Sequence, residues 1–444
     1  MTFKVRFAPS PTGMMHIGNA RMALINYLYA KKEGGTFLLR VDDTDQERSK
    51  PEYEKAIKDA MNWLGLSWDE EERQSERMDR YEEVFEDLKS KGLVYDCYET
   101  PEELEYMRKR LRSRGKPPIY DRSALELTEE AKDKLKAEGR QAHWRFKLPD
   151  GDIQWTDLVQ GEKTFKSENL ADPVIRRADG TFLYMMPSAI DDIDLAVTHV
   201  LRGEDHVSNT AVQIAMFKVL NDGNFPAFAH LPLLSGTEGE KLSKRKGSMS
   251  LAEMQEDGLE AMSVTSLLAH LGTSENIEAV DNMEALVASF DIGSFGRGTP
   301  KFDFKELERL NAKLIHDMDW ATASARLDLE GADEAFWEAV RPNLSRVKDA
   351  ADWAAIVFGQ VEPKIEDADF TAKAMAVLPE GDWDDTTWKT WTNAVKEATG
   401  AKGKGLFMPL RQALTGMDHG PELGVLLPLL GREKVEARLK GETA

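Results

Sequence analysis

Two short motifs in this 444-residue chain carry residue types that suit phosphate chemistry. The first is His16-Ile17-Gly18-Asn19, which follows a turn rich in proline after residue 7. A helix that begins here would offer unpaired backbone N–H groups and the positive end of its dipole to a phosphate. Gly18 would let a nucleotide approach the backbone, and His16 could donate a hydrogen bond to an oxygen that gains charge. Taken alone, such a histidine is more often an ordinary surface residue.

The second motif is a basic segment among glycines, Lys241-Leu242-Ser243-Lys244-Arg245. Lysines on a loop can close over a pyrophosphate group and stabilise charge in a transition state without forming a covalent bond. The alternative for this segment is a solvated run of charge. Neither a GxGxxG turn nor a GxxxxGK loop follows the first predicted strand, which argues against dinucleotide-binding and P-loop proteins.

The elements that would position these motifs repeat in the order strand, turn, helix. Residues 3–7 alternate as in a strand, residues 20–28 have apolar side chains at helical spacing, and 36–41 form a second apolar strand. The same order returns with the apolar run 193–201 and a helix over 212–220. This repetition predicts an α/β nucleotide-binding fold of the Rossmann type, built on a parallel, doubly wound sheet.

Four regions follow from these patterns. Residues 1–95 and 186–250 form a split Rossmann-like domain, and 96–185 form an α+β insertion that is charged and holds short strand-like runs. Residues 251–318 and 319–444 show helical spacing throughout, so the end of the chain is predicted to be all-α.

Charge limits the ways in which the chain can bind nucleic acid. The 58 Lys and Arg residues against 79 Asp and Glu residues give a net charge of -21, which opposes nonspecific binding to a polyanion. A nucleic-acid partner must therefore meet local basic surface. One such run covers residues 108–116 and includes Arg108 and Arg110, for which the alternative is a solvated helix face.

Targeting and redox signals are sparse. The apolar stretches are too short to span a bilayer, and the first residues show no signal-peptide pattern, so we expect a cytoplasmic protein with no membrane partner. The single cysteine, Cys97, excludes an internal disulfide framework and a cysteine-rich zinc finger.

Taken together, the two motifs resemble the HIGH and KMSKS signatures of class I aminoacyl-tRNA synthetases. The segment from His16 to Asn19 corresponds to the first signature, and Lys241 to Arg245 corresponds to the second. The resemblance to the bacterial glutamyl-tRNA synthetases extends over the runs 6–13, 40–45, 101–104, 200–206 and 405–411. It therefore touches nearly the whole chain.

This resemblance implies a two-step reaction. Glutamate attacks the α-phosphate of ATP, which is bound with Mg²⁺, and the resulting glutamyl-adenylate passes its glutamyl group to the 2′-OH of the terminal adenosine of tRNA(Glu). Whether tRNA(Gln) is also charged stays open. The four regions then become the split catalytic domain, an acceptor-end insertion, a stem-contact region and an anticodon-binding region, and we expect a monomer.

The resemblance also implies roles for individual residues. Those expected at ATP and the reacting phosphates are His16, Gly18, Asp205, Lys241, Leu242, Ser243, Lys244 and Arg245, of which His16, Gly18, Lys241 and Lys244 are catalytic. Those expected around glutamate are Arg6, Ala8, Ser10, Asp42, Tyr184, Ser188 and Arg202. Candidates for tRNA contact are Arg108, Arg110, Arg341, Arg346 and Arg411, each of which could instead be a surface or ion-pair arginine.

Substrate choice is expected to depend on arginine. A guanidinium that pairs in two bonds with the side-chain carboxylate would favour glutamate over glutamine by about 2–5 kcal/mol. For Arg202 the alternative is a structural ion pair with Asp191 or Asp192. At the ammonium end, Asp42 occupies a position where relatives often have the longer glutamate.

Zinc is not expected. Some relatives hold zinc with a Cys-x-Cys pair near the position of Cys97, but here the second cysteine is replaced by Glu99. A tetrahedral site rich in sulfur is therefore excluded, and we predict no structural zinc.

Four other classes were weighed against this interpretation. A glutaminyl-tRNA synthetase would have β-barrels where residues 319–444 are predicted to be helical, and truncated relatives that glutamylate a modified base lack that region. A cytidylyltransferase would explain the histidine–glycine motif but not residues 241–245. A catalytically silent paralogue that only binds tRNA is the alternative from a different class.

Overall fold

The computed structural model describes residues 2–239 and 250–444. The predicted phosphate-binding segment, Lys241, Leu242, Ser243, Lys244 and Arg245, lies outside the described residues, so its roles stay predictions.

The strands and helices alternate in the first half of the chain and give way to helices in the second. The strands are β1 (Lys4–Phe7), β2 (Thr36–Val41), β3 (Glu70–Arg73), β4 (Val94–Cys97), β5 (His143–Phe146), β6 (Asp152–Asp157), β7 (Gly161–Lys166), β8 (Val174–Arg176), β9 (His199–Gly203) and β10 (Ala227–Leu231). The helices are α1 (Ile17–Lys32), α2 (Pro51–Trp63), α3 (Met78–Ser90), α4 (Pro101–Ser113), α5 (Glu129–Ala137), α6 (Met185–Asp194), α7 (Val207–Leu220), α8 (Leu251–Asp257), α9 (Ala261–His270), α10 (Met283–Ser289), α11 (Phe304–Asp317), α12 (Trp320–Ser324), α13 (Glu334–Val340), α14 (Ala350–Val357), α15 (Ala368–Ala376), α16 (Thr387–Thr399), α17 (Lys404–Thr415) and α18 (Leu423–Leu439).

The main sheet has the strand order β3-β2-β1-β9-β10-β6-β7. Neighbouring strands pair in parallel except β6 and β7, which are antiparallel. Consecutive residues of β1, β2, β9 and β10 are buried, as expected for a parallel sheet that is covered on both faces. The predicted α/β fold with a mostly parallel sheet is therefore confirmed.

Strand β1 lies between β2 and β9, where the strand order reverses. Val5 is the partner of both Phe37 in β2 and His199 in β9. Because these strands are parallel, their carboxyl ends meet at one edge of the sheet, which is where ligand sites form in folds of this kind. Arg6 and Arg202 are both close to that edge.

The region predicted as an insertion contributes to both sheets of the structure. Strands β4, β5 and β8 form a separate antiparallel sheet, whereas β6 and β7 extend the main one. The division of the chain at residues 95, 185, 250 and 318 stays a prediction.

One predicted strand begins later than expected. The apolar run 193–201 starts in the structure as the end of α6, and the strand itself begins at His199. Between them, Ala196 has a positive φ of 55°, which ends the helix before the strand begins. Helix α6 is buried at Met186 to Asp192, and a short apolar run cannot distinguish a buried helix end from a buried strand.

The chain divides into two compact units, Met1–Gln255 with Val264–Asp303, and Glu256–Ser263 with Phe304–Ala444. Helices α11 to α18 pack the second unit around fully buried side chains, including Trp337, Trp391 and Leu426. No strand occurs within residues 256–263 and 304–444, all of which are described, so the predicted all-α end of the chain is confirmed. None of the helices within residues 2–239 and 250–444 is long and apolar enough to cross a membrane.

Candidate active site

A cavity of about 380 Å³ opens at the carboxyl ends of β1, β2 and β9, within the first unit. Its walls bring together most of the described residues that the sequence predicted for ATP and glutamate. They are Arg6, Ala8, Ser10, His16, Gly18, Asp42, Tyr184, Arg202 and Asp205. Arg21, Arg40 and His206, for which no role was predicted, also line it.

Helix α1 presents its N-terminus to this cavity through His16. The His16 Nδ1 accepts a hydrogen bond from the backbone N–H of Asn19 at 3.3 Å and caps the helix, so a neutral ring carries its proton on Nε2. A Cβ placed on Gly18 would lie 3.2 Å from the His16 ring, tighter than most contacts of that kind. The spacing of histidine and glycine thus lets the ring fold back over the first helical turn.

On one side of the cavity, arginines are paired with buried carboxylates. Arg40 binds Asp42 in two bonds, from Nε at 2.7 Å and from Nη2 at 3.1 Å. Its Nη1 donates to Asp192 at 2.9 Å, and the same Asp192 oxygen accepts from Arg6 Nε at 3.1 Å. Although burial works against its charge, the neighbouring Arg6 and Arg40 lower the pKa of Asp192. The charges of Arg40, Asp42 and Asp192 are therefore paired largely with one another.

Asp42, predicted to hold the substrate ammonium, is therefore already bound by an arginine. Burial raises the pKa of Asp42 to about 6, although the Arg40 guanidinium acts in the opposite direction. Asp42 lines the cavity and is 8% exposed, so it can still meet a ligand cation.

Ser188, predicted beside glutamate, is not part of the cavity wall. The residue is fully buried, and its Oγ accepts a hydrogen bond from Arg40 Nη2 at 3.2 Å. In this structure it supports Arg40 from behind.

Arg202 lies on the other side of the cavity and is held by uncharged groups. Its Nη1 donates to the Tyr184 hydroxyl at 2.7 Å, and its Nη2 donates to Thr210 Oγ1 at 2.6 Å and to Gln213 Oε1 at 2.7 Å. Its Nε donates to His230 Nε2 at 3.3 Å. Among the residues that the structure describes, no carboxylate lies within 4.0 Å of this guanidinium.

The alternative considered for Arg202, an ion pair with Asp191 or Asp192, is thus absent from the described residues. Asp191 is bound instead by Arg77, Gln74 and Tyr81, and Asp192 by Arg6 and Arg40. Burial of Arg202, which is 8% exposed, lowers its pKa, and the nearby Arg6 adds to that effect. A buried cation that faces a cavity with no carboxylate in direct contact is a site for a ligand anion.

The donors left to a ligand come from two arginines. Of the five N–H groups of Arg202, four are occupied by Tyr184, Thr210, Gln213 and His230, so one Nη1–H remains. A two-bond pair made by Arg202 alone is therefore not available in this arrangement. Arg6 gives only its Nε to Asp192, and its two Nη groups have no partner among the described residues.

The turn after β9 brings Asp205 to the cavity and depends on Gly203. A Cβ on Gly203 would lie 2.5 Å from Asp205 Oδ1 and 2.9 Å from the Leu233 side chain. The next residue in the wall, His206, lies 3.3 Å from the Tyr184 hydroxyl through Nδ1, and burial lowers its pKa. His206 is thus expected to be neutral near pH 7.

The predicted tRNA arginines are divided between the two units of the chain. Arg108 and Arg110 lie on α4, which has no buried residue. Arg341 pairs with Glu338, Arg346 pairs with Asp257, and Arg411 donates to the Pro421 carbonyl. Their role in binding tRNA stays a prediction.

Around Cys97, the structure places three groups that sequence spacing did not connect. The ligand atoms of Cys97, Glu99 and His143 lie within 4.8 Å of one another. His143 Nε2 and Glu99 Oε2 are buried and have no hydrogen-bond partner, while the other Glu99 oxygen accepts from Tyr120 at 2.6 Å. This group offers one sulfur and two harder donors, so its composition differs from that of the sulfur-rich zinc site considered in the sequence.

Three buried residues that support the site were missed in the sequence. Arg40 interrupts the apolar strand TFLLRV, and His230 interrupts the apolar strand AFAHL. Asp157 ends the strand DIQWTD. The available signal was a charged or titratable residue at a position where the strand pattern predicts burial.

Comparisons with known proteins identify the family of the chain. Residues 2–309 match the family of class I tRNA synthetases (E and Q), catalytic domain, and residues 309–442 match an anticodon binding domain. Among solved structures, a glutamate tRNA ligase from Elizabethkingia meningosepticum, in complex with its amino acid, superposes with a TM-score of 0.85 at 28% identity. The match covers 99% of this chain and 98% of that one.

Curated relatives are similar over their full length. Glutamate–tRNA ligase 1 of Maricaulis maris is 52% identical, with 99% of this chain and 100% of the relative covered. The glutamate–tRNA ligase of Azospirillum brasilense is also 52% identical, with 100% of both covered. A chain matched at this identity from end to end belongs to the glutamate–tRNA ligase family, within the class I aminoacyl-tRNA synthetases.

Proposed function

We propose that this chain activates L-glutamate with ATP to form glutamyl-adenylate and then transfers the glutamyl group to the 3′-terminal adenosine of tRNA(Glu). Arg202 is the observation that carries the choice of glutamate. It is a buried cation on the cavity wall whose partners are all uncharged. An anionic side chain would supply the missing counter-ion, whereas the neutral amide of glutamine would not.

The glutamate side-chain carboxylate would accept from Arg202 Nη1 and from the Nη groups of Arg6. Its ammonium would lie against Asp42, which also lines the cavity. Ala8, Ser10 and Tyr184 would complete the pocket, with Tyr184 held in place by Arg202. No covalent step by a protein side chain is needed, because alignment and charge stabilisation suffice.

ATP would bind beside the N-terminus of α1. His16 Nε2–H and the backbone N–H groups of Ile17 and Gly18, at the start of the helix, are suitable donors to its phosphates. Gly18 and Asp205 line the same part of the cavity. Lys241 and Lys244, assigned by the resemblance, would stabilise the pyrophosphate, and Mg²⁺ would enter with the nucleotide and supply further charge compensation there.

A structural zinc ion is not part of the proposal. The Cys97, Glu99 and His143 group offers one sulfur, and the Arg145 guanidinium lies over the neighbouring Tyr120 ring at 4.1 Å, where its charge opposes a dication. Metal analysis of the purified protein is expected to find less than about 0.1 zinc per chain. Stoichiometric zinc would overturn this part.

The proposed substrates include tRNA(Glu), and tRNA(Gln) is the second candidate because two-step routes load it with glutamate and amidate the product afterwards. Aminoacylation of each purified tRNA with labelled glutamate decides between them. Because the proposed substrates ATP and tRNA are cytoplasmic, we place the reaction in the cytoplasm. We also propose that the protein is a monomer, which light scattering of the purified protein would test.

Pyrophosphate exchange tests the central activity. We expect incorporation of labelled pyrophosphate into ATP that requires glutamate, measured with and without tRNA(Glu). Glutamine and aspartate at the same concentration are the matched controls. Absence of exchange from folded protein with both tRNAs present would favour a silent tRNA-binding module instead.

A further inference from the structure

Behind Arg202, away from the cavity, lies a buried pair of titratable groups that the proposed chemistry does not use. His230 in β10 is fully buried, and Asp157 at the end of β6 is 2% exposed. The His230 Nδ1 and Asp157 Oδ2 form a hydrogen bond, and the other ring nitrogen, Nε2, faces Arg202. Neither residue lines the cavity.

We propose that Asp157 and His230 are positioning residues that fix the Arg202 guanidinium for recognition of a carboxylate. This inference rests on the proposed function of Arg202. The neutral imidazole is held with its proton on Nδ1, so that Nε2 accepts from Arg202 Nε–H. Arg202 is then oriented by an acceptor that adds no negative charge to the pocket.

The tautomer follows from the donors present. An arginine has no acceptor, so the Arg202 Nε–H at 3.3 Å requires a lone pair on His230 Nε2. The Thr210 hydroxyl, which accepts from Arg202 Nη2, lies 2.8 Å from the same nitrogen. The ring proton must then occupy Nδ1, where Asp157 Oδ2 accepts it. Burial lowers the pKa of His230, which agrees with a neutral ring even though Asp157 acts in the opposite direction.

Asp157 itself is held in one orientation by the backbone. Its Oδ1 accepts from the N–H groups of Val159 at 3.1 Å, Gln160 at 2.8 Å and His230 at 3.1 Å. These three donors leave Oδ2 as the oxygen that faces His230. An internal carboxylate at Arg202 would neutralise the cation, whereas this relay places the carboxylate one ring away from it.

Asp157→Asn is the sharpest test, because the side chain cannot turn over. The three backbone N–H groups require the amide oxygen at the Oδ1 position, so the NH₂ group faces His230 Nδ1. The ring must then carry its proton on Nε2, and two N–H groups would oppose each other between His230 and Arg202. We expect the KM for glutamate to rise at least tenfold, with the KM for ATP within about twofold.

Substitution of His230 distinguishes positioning from packing. In His230→Gln an amide oxygen can accept from Arg202 while its NH₂ donates to Asp157, so we expect a change in glutamate KM below about threefold. In His230→Leu both bonds are lost, and we expect a rise of at least tenfold. Asp172→Asn is the matched control, because Asp172 is equally buried but bonds to Tyr95 and Arg122 outside the cavity.

Nuclear magnetic resonance of ¹⁵N-histidine reports the tautomer directly, with the His230 signals assigned by their loss in His230→Gln. We expect a neutral Nδ1–H ring in the unaltered protein and an Nε2–H ring in Asp157→Asn. An imidazolium or Nε2–H ring in the unaltered protein would overturn the inference. So would equal effects of Asp157→Asn and Asp172→Asn on glutamate KM. Loss of glutamate-dependent exchange in the unaltered protein would instead contradict the proposed function.

Discussion

The two sides of the cavity hold arginines in opposite ways. Arg40 is bound to Asp42 and Asp192, so its charge is compensated inside the protein. Arg202 is equally buried, yet its partners are a tyrosine, a threonine, a glutamine and a histidine. An internally paired arginine contributes mainly to the fold, whereas one held by neutral acceptors keeps its charge available for a ligand.

The difference separates the effects of substitution. On the Arg40 side, removal of one charge leaves its buried partners uncompensated, so the loss should be seen in stability. On the Arg202 side, the missing charge is the one that the substrate needs, so the loss should be seen in glutamate kinetics. If substitution of Arg40 changed mainly glutamate kinetics and substitution of Arg202 changed mainly stability, this distinction would be wrong.

The largest expected effect is on stability, in Arg40→Ala. This change leaves the buried Asp42 without its arginine partner and Asp192 with Arg6 alone, and breaking a buried pair typically costs about 3–5 kcal/mol. The free energy of unfolding, from urea denaturation followed by fluorescence, is expected to fall by about that amount. Arg48→Ala, whose pair with Asp45 is exposed, should change the free energy of unfolding far less. Equal losses in the two variants would contradict the account.

A smaller loss, in kinetics, is expected from Arg202→Lys. A lysine keeps the charge but cannot reproduce the four bonds that orient the guanidinium, so kcat/KM for glutamate should fall about 100-fold. The KM for ATP in pyrophosphate exchange should change by less than about threefold. Arg48→Lys is the control, since it makes the same change from arginine to lysine at an exposed position. Unchanged glutamate kinetics would remove Arg202 from the binding site.

The pH dependence of glutamate use tests the opposite wall. Because burial raises the pKa of Asp42 to about 6, the folded protein protonates this carboxyl as the pH falls below 6. The protonated form cannot pair with the substrate ammonium, so kcat/KM for glutamate should fall about tenfold between pH 6.5 and pH 5. Asp42→Asn should lower kcat/KM at pH 7 and lose this acid limb. An identical limb in the variant would assign it to another group.

The smallest effect is expected on the exposed helix α4. Replacement of both Arg108 and Arg110 by alanine should raise the KM for tRNA about threefold to tenfold and reduce its dependence on salt. The kinetics of glutamate activation, measured without transfer of the glutamyl group to tRNA, should not change, since the helix has no buried residue. The double change Arg48→Ala with Lys55→Ala removes the same charge elsewhere. An equal effect of both pairs would show only the influence of net charge.

The sequence predicted the elements of the fold better than the contacts between them. Strand β2 has the predicted bounds, Thr36–Val41, because an apolar run between glycines and an acidic turn has few other solutions. The apolar run 193–201 gave a wrong start, since α6 is as apolar as the strand that follows it.

The site shows the same difference between positions that the sequence predicts and contacts that it does not. Residues adjacent to strand ends, such as Arg6 and Arg202, come together in the cavity because parallel strands align their carboxyl ends. The partners of those residues could not be predicted in the same way. Arg40 meets Asp192 across 152 positions and His230 meets Asp157 across 73, and no local periodicity connects residues so far apart.

Selectivity between glutamate and glutamine tests the central claim most directly. The ratio of kcat/KM for the two amino acids should be measured by pyrophosphate exchange in the unaltered protein and in Arg202→Met, which keeps the volume but removes the charge. We expect the ratio to fall at least 100-fold in the variant, almost wholly through the loss of glutamate activity, because glutamine has no side-chain carboxylate to pair with Arg202. An unchanged ratio, or equal losses for both amino acids, would contradict a role of Arg202 as the cation that selects glutamate.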